Sequence, residues 1–231
     1  MINKDYVLRL AERIGRELSI ILGLRKRERD DETLIYIDDL LLNMTGLTSR
    51  FINSLSEEML IKAISPLAAL NIASCLWIAS LLKVEGDIYA GRGDTNESYY
   101  RYSKALYLYL EALQQEHIEA DSLFYTDTRQ LIDLLDAYEL PEQVKRKLFM
   151  YYEHSGMYGK AEDILFELLE DTAQPGEMAE RGLAFYRRLL AKSNADLAAG
   201  NLSRAEVNEG IAQLQEAKQQ SGLTSMHKDE V

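Results

Sequence analysis

The segment that most constrains the fold runs from residue 78 to residue 113, with the sequence IASLLKVEGDIYAGRGDTNESYYRYSKALYLYLEAL. Apolar residues recur every three or four positions up to about residue 90, which predicts a helix. Gly91, Gly93 and Asp94 then interrupt this periodicity, as is typical of a turn. Asp94 is a suitable N-cap for a second helix, because its carboxylate can accept hydrogen bonds from the first-turn amides, and Glu97 completes the capping-box spacing. The segment therefore predicts two antiparallel helices joined by a short turn.

Small and aromatic residues in this hairpin are spaced so that the two helices can pack closely. Gly86, Ser98 and Ala105 carry little side-chain bulk, so the helix axes can approach each other there. Tyr89 and Tyr102 are expected to fill the wedge between the helices. The predicted packing set is Gly86, Tyr89, Gly93, Ser98, Tyr102 and Ala105.

A second hairpin is predicted 63 residues further along the chain. Tyr152, Gly156 and Ala161 each follow their counterparts in the first hairpin by that distance. Phe149 stands where the first hairpin has Gly86, so we expect this second pair to pack more loosely. A third and poorer echo of the pattern lies near Gly200.

These two hairpins resemble the tetratricopeptide repeat, a unit of about 34 residues in which two helices pair and neighbouring pairs stack. The whole chain, from MINKDYVLRL onward, is also similar to a family of uncharacterised bacterial proteins of this helical-repeat kind. The resemblance implies an all-α fold, with antiparallel helix pairs stacked as a tetratricopeptide-like right-handed superhelix and degenerate units at both ends. It implies no substrate and no reaction.

The same patterns divide the chain into four predicted regions. Residues 1–65 form an N-terminal helical region that could be a degenerate repeat, and residues 66–173 form the central helical-repeat region, with Pro66 opening its first helix. Pro175 and Gly176 interrupt the helical pattern and indicate a linker. A C-terminal helix pair is predicted over 174–222, its first helix running from about 177 to 198, and a disordered tail over 223–231.

Composition limits the classes of function that are open to the chain. A formal charge of −12 argues against a general nucleic-acid-binding protein, because the phosphate backbone attracts positive surfaces. Cys75 is the single cysteine, so no disulfide forms within the chain and no cysteine-based zinc cluster can exist. We expect a cytoplasmic protein, since a reducing compartment suits this cysteine content.

The charge is distributed unevenly along the sequence. Residues 1–29 carry eight basic and four acidic side chains, which leaves 18 basic and 34 acidic ones for the remainder. The N-terminal segment is therefore basic and the rest strongly acidic. Two interpretations stay open: the basic helix face pairs with the acidic body of the protein, or it binds an anionic partner.

A run of twenty uncharged residues, AISPLAALNIASCLWIASLL, lies between Lys62 and Lys83 and is long enough to cross a bilayer. Pro66 is expected to interrupt a helix near its start, and polar side chains within the run lower its hydrophobicity. We therefore expect a helix that is buried in the protein or covered by a partner, and no membrane insertion.

No arrangement of residues predicts catalysis, a metal site or a cofactor. His117, His154 and His227 lie far apart, and none has a histidine or cysteine partner at a metal-ligating spacing. The acidic pairs, such as Asp133 with Asp136, are more typical of a solvated helix face than of an acid and base couple. We expect a protein that is not an enzyme.

Tyrosines at 99, 100, 102, 107 and 109 cover most of the circumference of one predicted helix. Such a helix is either central to the fold or covered by another chain, and the Trp77 region raises the same question. The leading hypothesis is a module that binds an unknown protein or peptide; the alternative is a homo-oligomer that uses these two surfaces as its self-interface. In the repeats that the chain resembles, the first helix of each pair lines the groove, which gives the candidate residues Lys83, Asp87, Ala90, Arg146, Met150, Glu153 and His154.

Overall fold

The computed structural model of the chain describes residues 4–65, 69–115, 118–171 and 175–226. These residues form twelve α-helices and, within the described ranges, no β-strand. The all-α fold class expected from the sequence is confirmed. The chain divides into two compact units, Met1–Leu140 and Pro141–Val231. The finer division into four regions stays a prediction.

The first unit contains seven of the described helices. They are α1 (Lys4–Arg25), α2 (Asp30–Thr45), α3 (Ser49–Ser54), α4 (Glu57–Ile64), α5 (Ile72–Gly91), α6 (Thr95–Gln115) and α7 (Leu123–Leu135). Several of them begin at an N-cap residue, whose side-chain oxygen accepts a hydrogen bond from a first-turn amide that would otherwise be unpaired. Ser56 accepts from the amide of Met59 at the start of α4, and Asn71 accepts from that of Ser74 at the start of α5.

The centre of the first unit is the pair α5 and α6. Packing proceeds in chain order, with α1 against α2, α2 against α5, α5 against α6 and α6 against α7, while α5 also contacts α1 and α7. Nearly every residue from Ile72 to Ile88 is buried, and so are the residues from Arg101 to Leu110. The uncharged run ahead of Lys83 thus contributes to the core from Ile72 onward. Within the described residues, no helix combines the length and the hydropathy that a membrane span requires.

The second unit contains the other five helices. They are α8 (Glu142–His154), α9 (Tyr158–Asp171), α10 (Pro175–Leu190), α11 (Asn194–Ala199) and α12 (Arg204–Met226). Helix α8 packs against α9, α9 against α10, and α10 against α12. The rings of Phe149 and Phe185 stack edge to face between α8 and α10, with their centroids 5.3 Å apart. A capping box begins α12: the Ser203 amide donates to the Glu206 carboxylate, and the Glu206 amide donates to the Ser203 hydroxyl.

Four helix connections use the same backbone turn. In each, one residue has a left-handed conformation, with φ between 57° and 77°: these residues are Glu28, Gly93, Gly156 and Asn201. The next amide then donates to the carbonyl five residues earlier, as Asp94 does to Tyr89 at 2.9 Å and Met157 does to Tyr152 at 2.8 Å. This hydrogen bond is that of the Schellman motif, which satisfies the free carbonyls at the end of a helix. Glycine accepts the conformation without steric cost, whereas a residue with a Cβ is strained there.

Several helix boundaries differ from those predicted. Helix α5 begins at Ile72 rather than near Pro66, because Asn71 provides the cap; Pro66 itself lies outside the described residues. Short helix α3 was not predicted; Thr48 caps it through the amide of Phe51. The single helix expected from about 177 to 198 is two helices, since Ser193 starts a new one with a capping box. Helix α12 extends to Met226, and the rest of the predicted tail, 227–231, lies outside the described residues.

Candidate functional site

Three of the predicted groove residues meet in one cleft of the second unit. Arg146, Met150 and Glu153 lie on α8 and face α10 across a cleft of about 230 Å³. Met178 and Ala184 of α10 form the opposite apolar wall, and Phe149 closes the cleft on the α8 side. Met150 is 46% exposed although it lies in this apolar setting. Accessible apolar surface in a concave site is typical of a binding site.

Arginine side chains surround this cleft, and each is held by a glutamate. Arg188 of α10 donates two hydrogen bonds to Glu153 of α8, at 2.6 and 2.8 Å. Arg146 pairs with Glu142, and Arg181 pairs with Glu177 at 2.8 Å. The side chain of Arg181 is about half exposed, as is that of Arg188. Exposed ion pairs contribute little to stability, so a carboxylate from another molecule can replace a glutamate here at small cost.

The predicted groove residues of α5 are engaged within their own unit. Lys83 pairs with Asp127 of α7, with the ammonium 3.2 Å from the carboxylate oxygen. Asp87 accepts a hydrogen bond from the Tyr102 hydroxyl at 2.9 Å and pairs with Arg25 of α1 at 3.5 Å. Ala90 is exposed near the end of α5 and His154 is exposed at the end of α8. Lys83 and Asp87 therefore already have partners within the first unit, and their place in a peptide-binding groove stays a prediction.

A chain of buried polar groups joins α5, α6 and α7. The hydroxyl groups of Ser80 and Tyr109 lie 2.8 Å apart, and the Tyr109 hydroxyl donates to Asp127 at 3.0 Å. Burial is the main reason that the pKa of Tyr109 is raised well above its ordinary value, and the Asp127 charge acts in the same direction. Lys83 completes the chain from the other carboxylate oxygen. Every member of this chain has a partner, so we assign it to helix packing.

The predicted packing residues contribute in two different ways. A Cβ added at Gly86 would lie 2.4 Å from the Tyr102 ring, so α5 and α6 approach closely at this point. Ser98 and Ala105 are buried on the facing side of α6, and Tyr89 lies beneath the Arg101 guanidinium at 4.1 Å. A Cβ added at Gly93 would meet no atom within 4 Å, so the left-handed turn alone accounts for its glycine.

In the second hairpin the corresponding residues occupy similar places. Tyr152 and Ala161 are buried, and Gly156 adopts the left-handed conformation that Gly93 adopts in the first. Burial also covers most of the tyrosine-rich helix α6, where Tyr102, Tyr107 and Tyr109 are all at most 6% exposed, and Trp77 of α5 is 3% exposed. Both helices are thus central within the first unit.

A second and larger cleft, of about 540 Å³, lies in the first unit between α2, α3, α5 and α6. Glu85 and Arg101 pair at its base at 2.9 Å, and Arg101 also pairs with Glu97. Burial raises the pKa of Glu85 above its ordinary value, and the adjacent Arg101 opposes this effect. Asp38 and Asp39 of α2 form one wall. The lining carries four acidic and two basic side chains.

Among the described residues, no group of three or more histidine, cysteine, aspartate or glutamate side chains is placed to hold a metal ion. Ion pairs and apolar side chains line the two clefts. Both lie between helices that come from different parts of the sequence.

Comparison with known proteins places the chain in a family. Residues 1–219 match the family described as Family of unknown function (DUF6483). The chain belongs to this family. The expected similarity to a family of uncharacterised proteins is confirmed over nearly the whole chain. No curated protein and no solved structure matches this DUF6483 member.

Two features of this DUF6483 chain were not identified from its sequence. The cleft of the first unit combines residues from four helices, and none of its lining residues was predicted to form a cleft; Tyr89 and Glu97 were singled out for packing and for capping. Close approach of α10 and α12 depends on Gly210, where a Cβ would lie 2.2 Å from the Tyr186 ring. A glycine inside a helical pattern was the available signal, since it often marks such a contact.

Proposed function

We propose that this DUF6483 protein is a binding module without catalytic activity that holds a protein or peptide segment in the cleft between α8 and α10. The observation that carries the proposal is the exposure of Met150 within an apolar, concave site. Methionine is flexible and polarizable, and it is common at surfaces that adapt to different partners. Exchangeable Arg and Glu pairs around the cleft provide polar recognition at its edge.

The proposal includes a tetratricopeptide-like arrangement, in which successive helix pairs stack and their first helices line a groove. Support comes from the Schellman turn that recurs at Gly93 and Gly156, and from packing in chain order within each unit. The single, buried Cys75 agrees with the cytoplasmic location that we propose.

The chemistry of the cleft indicates the kind of segment that it binds. Apolar walls at Met150, Met178 and Phe149 favour one apolar side chain as the anchor. Arginine forms two parallel hydrogen bonds to a carboxylate, so Arg181 and Arg188 favour acidic residues next to that anchor. We therefore expect a short segment with an apolar residue flanked by aspartate or glutamate.

Selection from a random peptide library on the immobilised full-length protein tests this function. We expect enrichment of peptides with an apolar anchor and flanking acidic residues. Titration calorimetry of an enriched peptide against Met150→Glu should show at least a tenfold loss of affinity, because the new carboxylate lies in the apolar site and repels the acidic peptide. Leu190→Glu is the matched control, since Leu190 is a similarly exposed apolar residue of α10 that does not line the cleft. Failure to enrich any peptide, or equal binding by both variants, would refute the proposal.

The alternative, a homo-oligomer built on the tyrosine-rich helix and the Trp77 region, has less surface to use. Within the first unit, Trp77 and most tyrosines of α6 are covered by the chain itself. Tyr100 and Tyr138 are the exposed aromatic residues of this area, both close to the ring of Tyr99. Light scattering of Tyr100→Lys against the wild-type protein separates this alternative from the cleft proposal.

A further inference from the structure

Helix α1 carries an exposed basic stripe that its own unit leaves largely uncovered. With 3.6 residues per turn, Tyr6, Arg9, Arg13, Arg16 and Ile20 fall within roughly 80° of the helix circumference. All five are exposed, and the core residues of α1, such as Ile14, lie on another face. Arg13 lies 5.8 Å above the Trp77 ring. Among the described residues, no hydrogen bond or ion pair joins Arg9 or Arg16 to another side chain.

The cleft of the first unit has the opposite chemistry. Its lining has an excess of two negative charges, and Ile35 at its edge is 64% exposed. Asp38 accepts a hydrogen bond from the amide of Ser49 at 2.6 Å and is thereby fixed on the wall. Asp39 is exposed one residue further on, and no basic side chain within the described part of the chain forms an ion pair with it. The cleft therefore offers carboxylates beside an apolar side chain, in a concave surface of about 540 Å³.

We propose that α1 of one molecule docks in the first-unit cleft of a second copy of this chain. Arg9 and Arg16 would pair with the carboxylates of the cleft, and Ile20 or Tyr6 would contact Ile35. The argument for this occupant is complementary charge. Residues 1–29 have a net positive charge, and the rest of the chain is strongly acidic.

The contact must form between molecules. Ile14 and Ile21 fix α1 in the core of its own unit, so the helix cannot leave that position to enter the cleft of the same unit without losing their burial. Two different surfaces meet in such a contact, which makes it heterologous. Heterologous contacts generate closed rings or open chains rather than a two-fold symmetric pair.

The strength of this association should depend on salt. Exposed charges more than about 10 Å apart are screened at 0.1 M ionic strength, so raising the salt concentration weakens the attraction between the stripe and the cleft. Sedimentation velocity of the full-length protein should show a mass above that of the monomer, rising with protein concentration and falling with ionic strength.

Two double variants interrupt the two sides of the contact. Arg9→Glu with Arg16→Glu reverses the stripe, and Ile35→Lys with Asp39→Lys reverses the edge of the cleft. All four residues are exposed, so both variants should fold. Each alone should associate at least tenfold more weakly than the wild-type protein, because like charges then face each other. Arg187→Glu with Lys192→Glu makes the same charge change as the stripe variant on exposed residues of the second unit and should leave association unchanged.

Mixing the two double variants gives the decisive result. The native stripe of the cleft variant fits the native cleft of the stripe variant, and the reversed stripe of the stripe variant has the opposite charge to the reversed cleft edge, so complementary contacts form again in the mixture. We expect the mixture to associate at concentrations at which neither double variant associates alone.

Four results would overturn the proposal. They are a wild-type protein that stays monomeric at low salt, an oligomer that salt does not weaken, a mixture that forms no complex, and an oligomer affected by only one of the two double variants. Binding of a wild-type monomer to anionic lipid vesicles, lost in the stripe variant, would assign the stripe to a membrane surface instead.

Discussion

Removal of Lys83 is the sharpest test of how the first unit is held together. Its ammonium lies 3.2 Å from Asp127, and the two side chains are only 15% and 8% exposed. Lys83→Met keeps the length of the aliphatic side chain and removes the charge. The Asp127 carboxylate then stays buried, and within the polar network of α5, α6 and α7 the Tyr109 hydroxyl is its remaining hydrogen-bond donor.

The magnitude follows from the burial of the pair. Breaking a buried ion pair by removing one partner costs about 3–5 kcal/mol, because an uncompensated charge remains in a medium of low polarity. Some water reaches Lys83, so we expect the lower end of that range, about 3 kcal/mol. Replacing both partners by apolar residues, as in Lys83→Met with Asp127→Leu, is often nearly neutral. Tyr109 then keeps its hydrogen bond to Ser80.

Urea unfolding followed by tryptophan fluorescence measures this effect. Trp77 is the only tryptophan of the chain and lies buried on α5, so its signal reports on the first unit alone. Arg29→Met removes the exposed pair with Glu32 in the same unit and serves as the control, with an expected loss below about 1 kcal/mol. The reasoning is refuted if Lys83→Met costs less than about 1 kcal/mol, or if Asp127→Leu destabilises the Lys83→Met protein further instead of restoring its stability.

Two further predictions concern packing and pH. Gly86→Ala should destabilise the first unit by about 1–3 kcal/mol in the same urea assay, because the new Cβ would overlap the Tyr102 ring, which Asp87 holds in place. Gly91→Ala is the control and should be neutral or stabilising, since there is open space around Gly91. Equal effects of the two substitutions would contradict the importance of the close contact at Gly86. Burial raises the pKa of Cys75 from 9.0 to about 12 and that of Tyr107 from 10.0 to about 12. The contribution of these two protonated side chains to the free energy of unfolding is therefore complete below pH 9. It is lost as the pH rises towards 12, because the unfolded chain releases these protons at a lower pH than the folded chain does. The loss is about 1.4 kcal/mol per pH unit for each group. The stability of Cys75→Ala should fall less steeply over that range, and a slope equal to that of the wild-type protein would show that Cys75 does not contribute.

The two hairpins illustrate how far prediction from sequence reached. Gly93 and Asp94 mark the turn between α5 and α6, and the structure places a left-handed residue and an N-cap there: Asp94 accepts from the amide of Glu97 at 3.2 Å. The Glu97 carboxylate, however, pairs with Arg101. The cap was predictable because it depends on residues within one turn, whereas the second role of Glu97 depends on Arg101 and its buried partner Glu85.

The candidate site was only partly predictable. Arg146, Met150 and Glu153 repeat at helical spacing on α8, so their common face followed from the sequence. That Met178 and Ala184 would form the facing wall did not follow, because the approach of α10 depends on its packing against α9 and α12. Lys83 has the same kind of spacing on α5, yet α7 covers it.

The sequence by itself determined most of the helices and the turns of the two hairpins, because periodicity, capping oxygens and left-handed glycines act over a few residues. Tertiary structure decided which polar residues are buried and which face solvent. Lys83 and Asp87 meet partners from α7 and from α1, while Met150 and Arg188 border an open cleft. Those outcomes depend on contacts between helices that are distant in sequence, and the spacing of residues within a single helix carries no information about them.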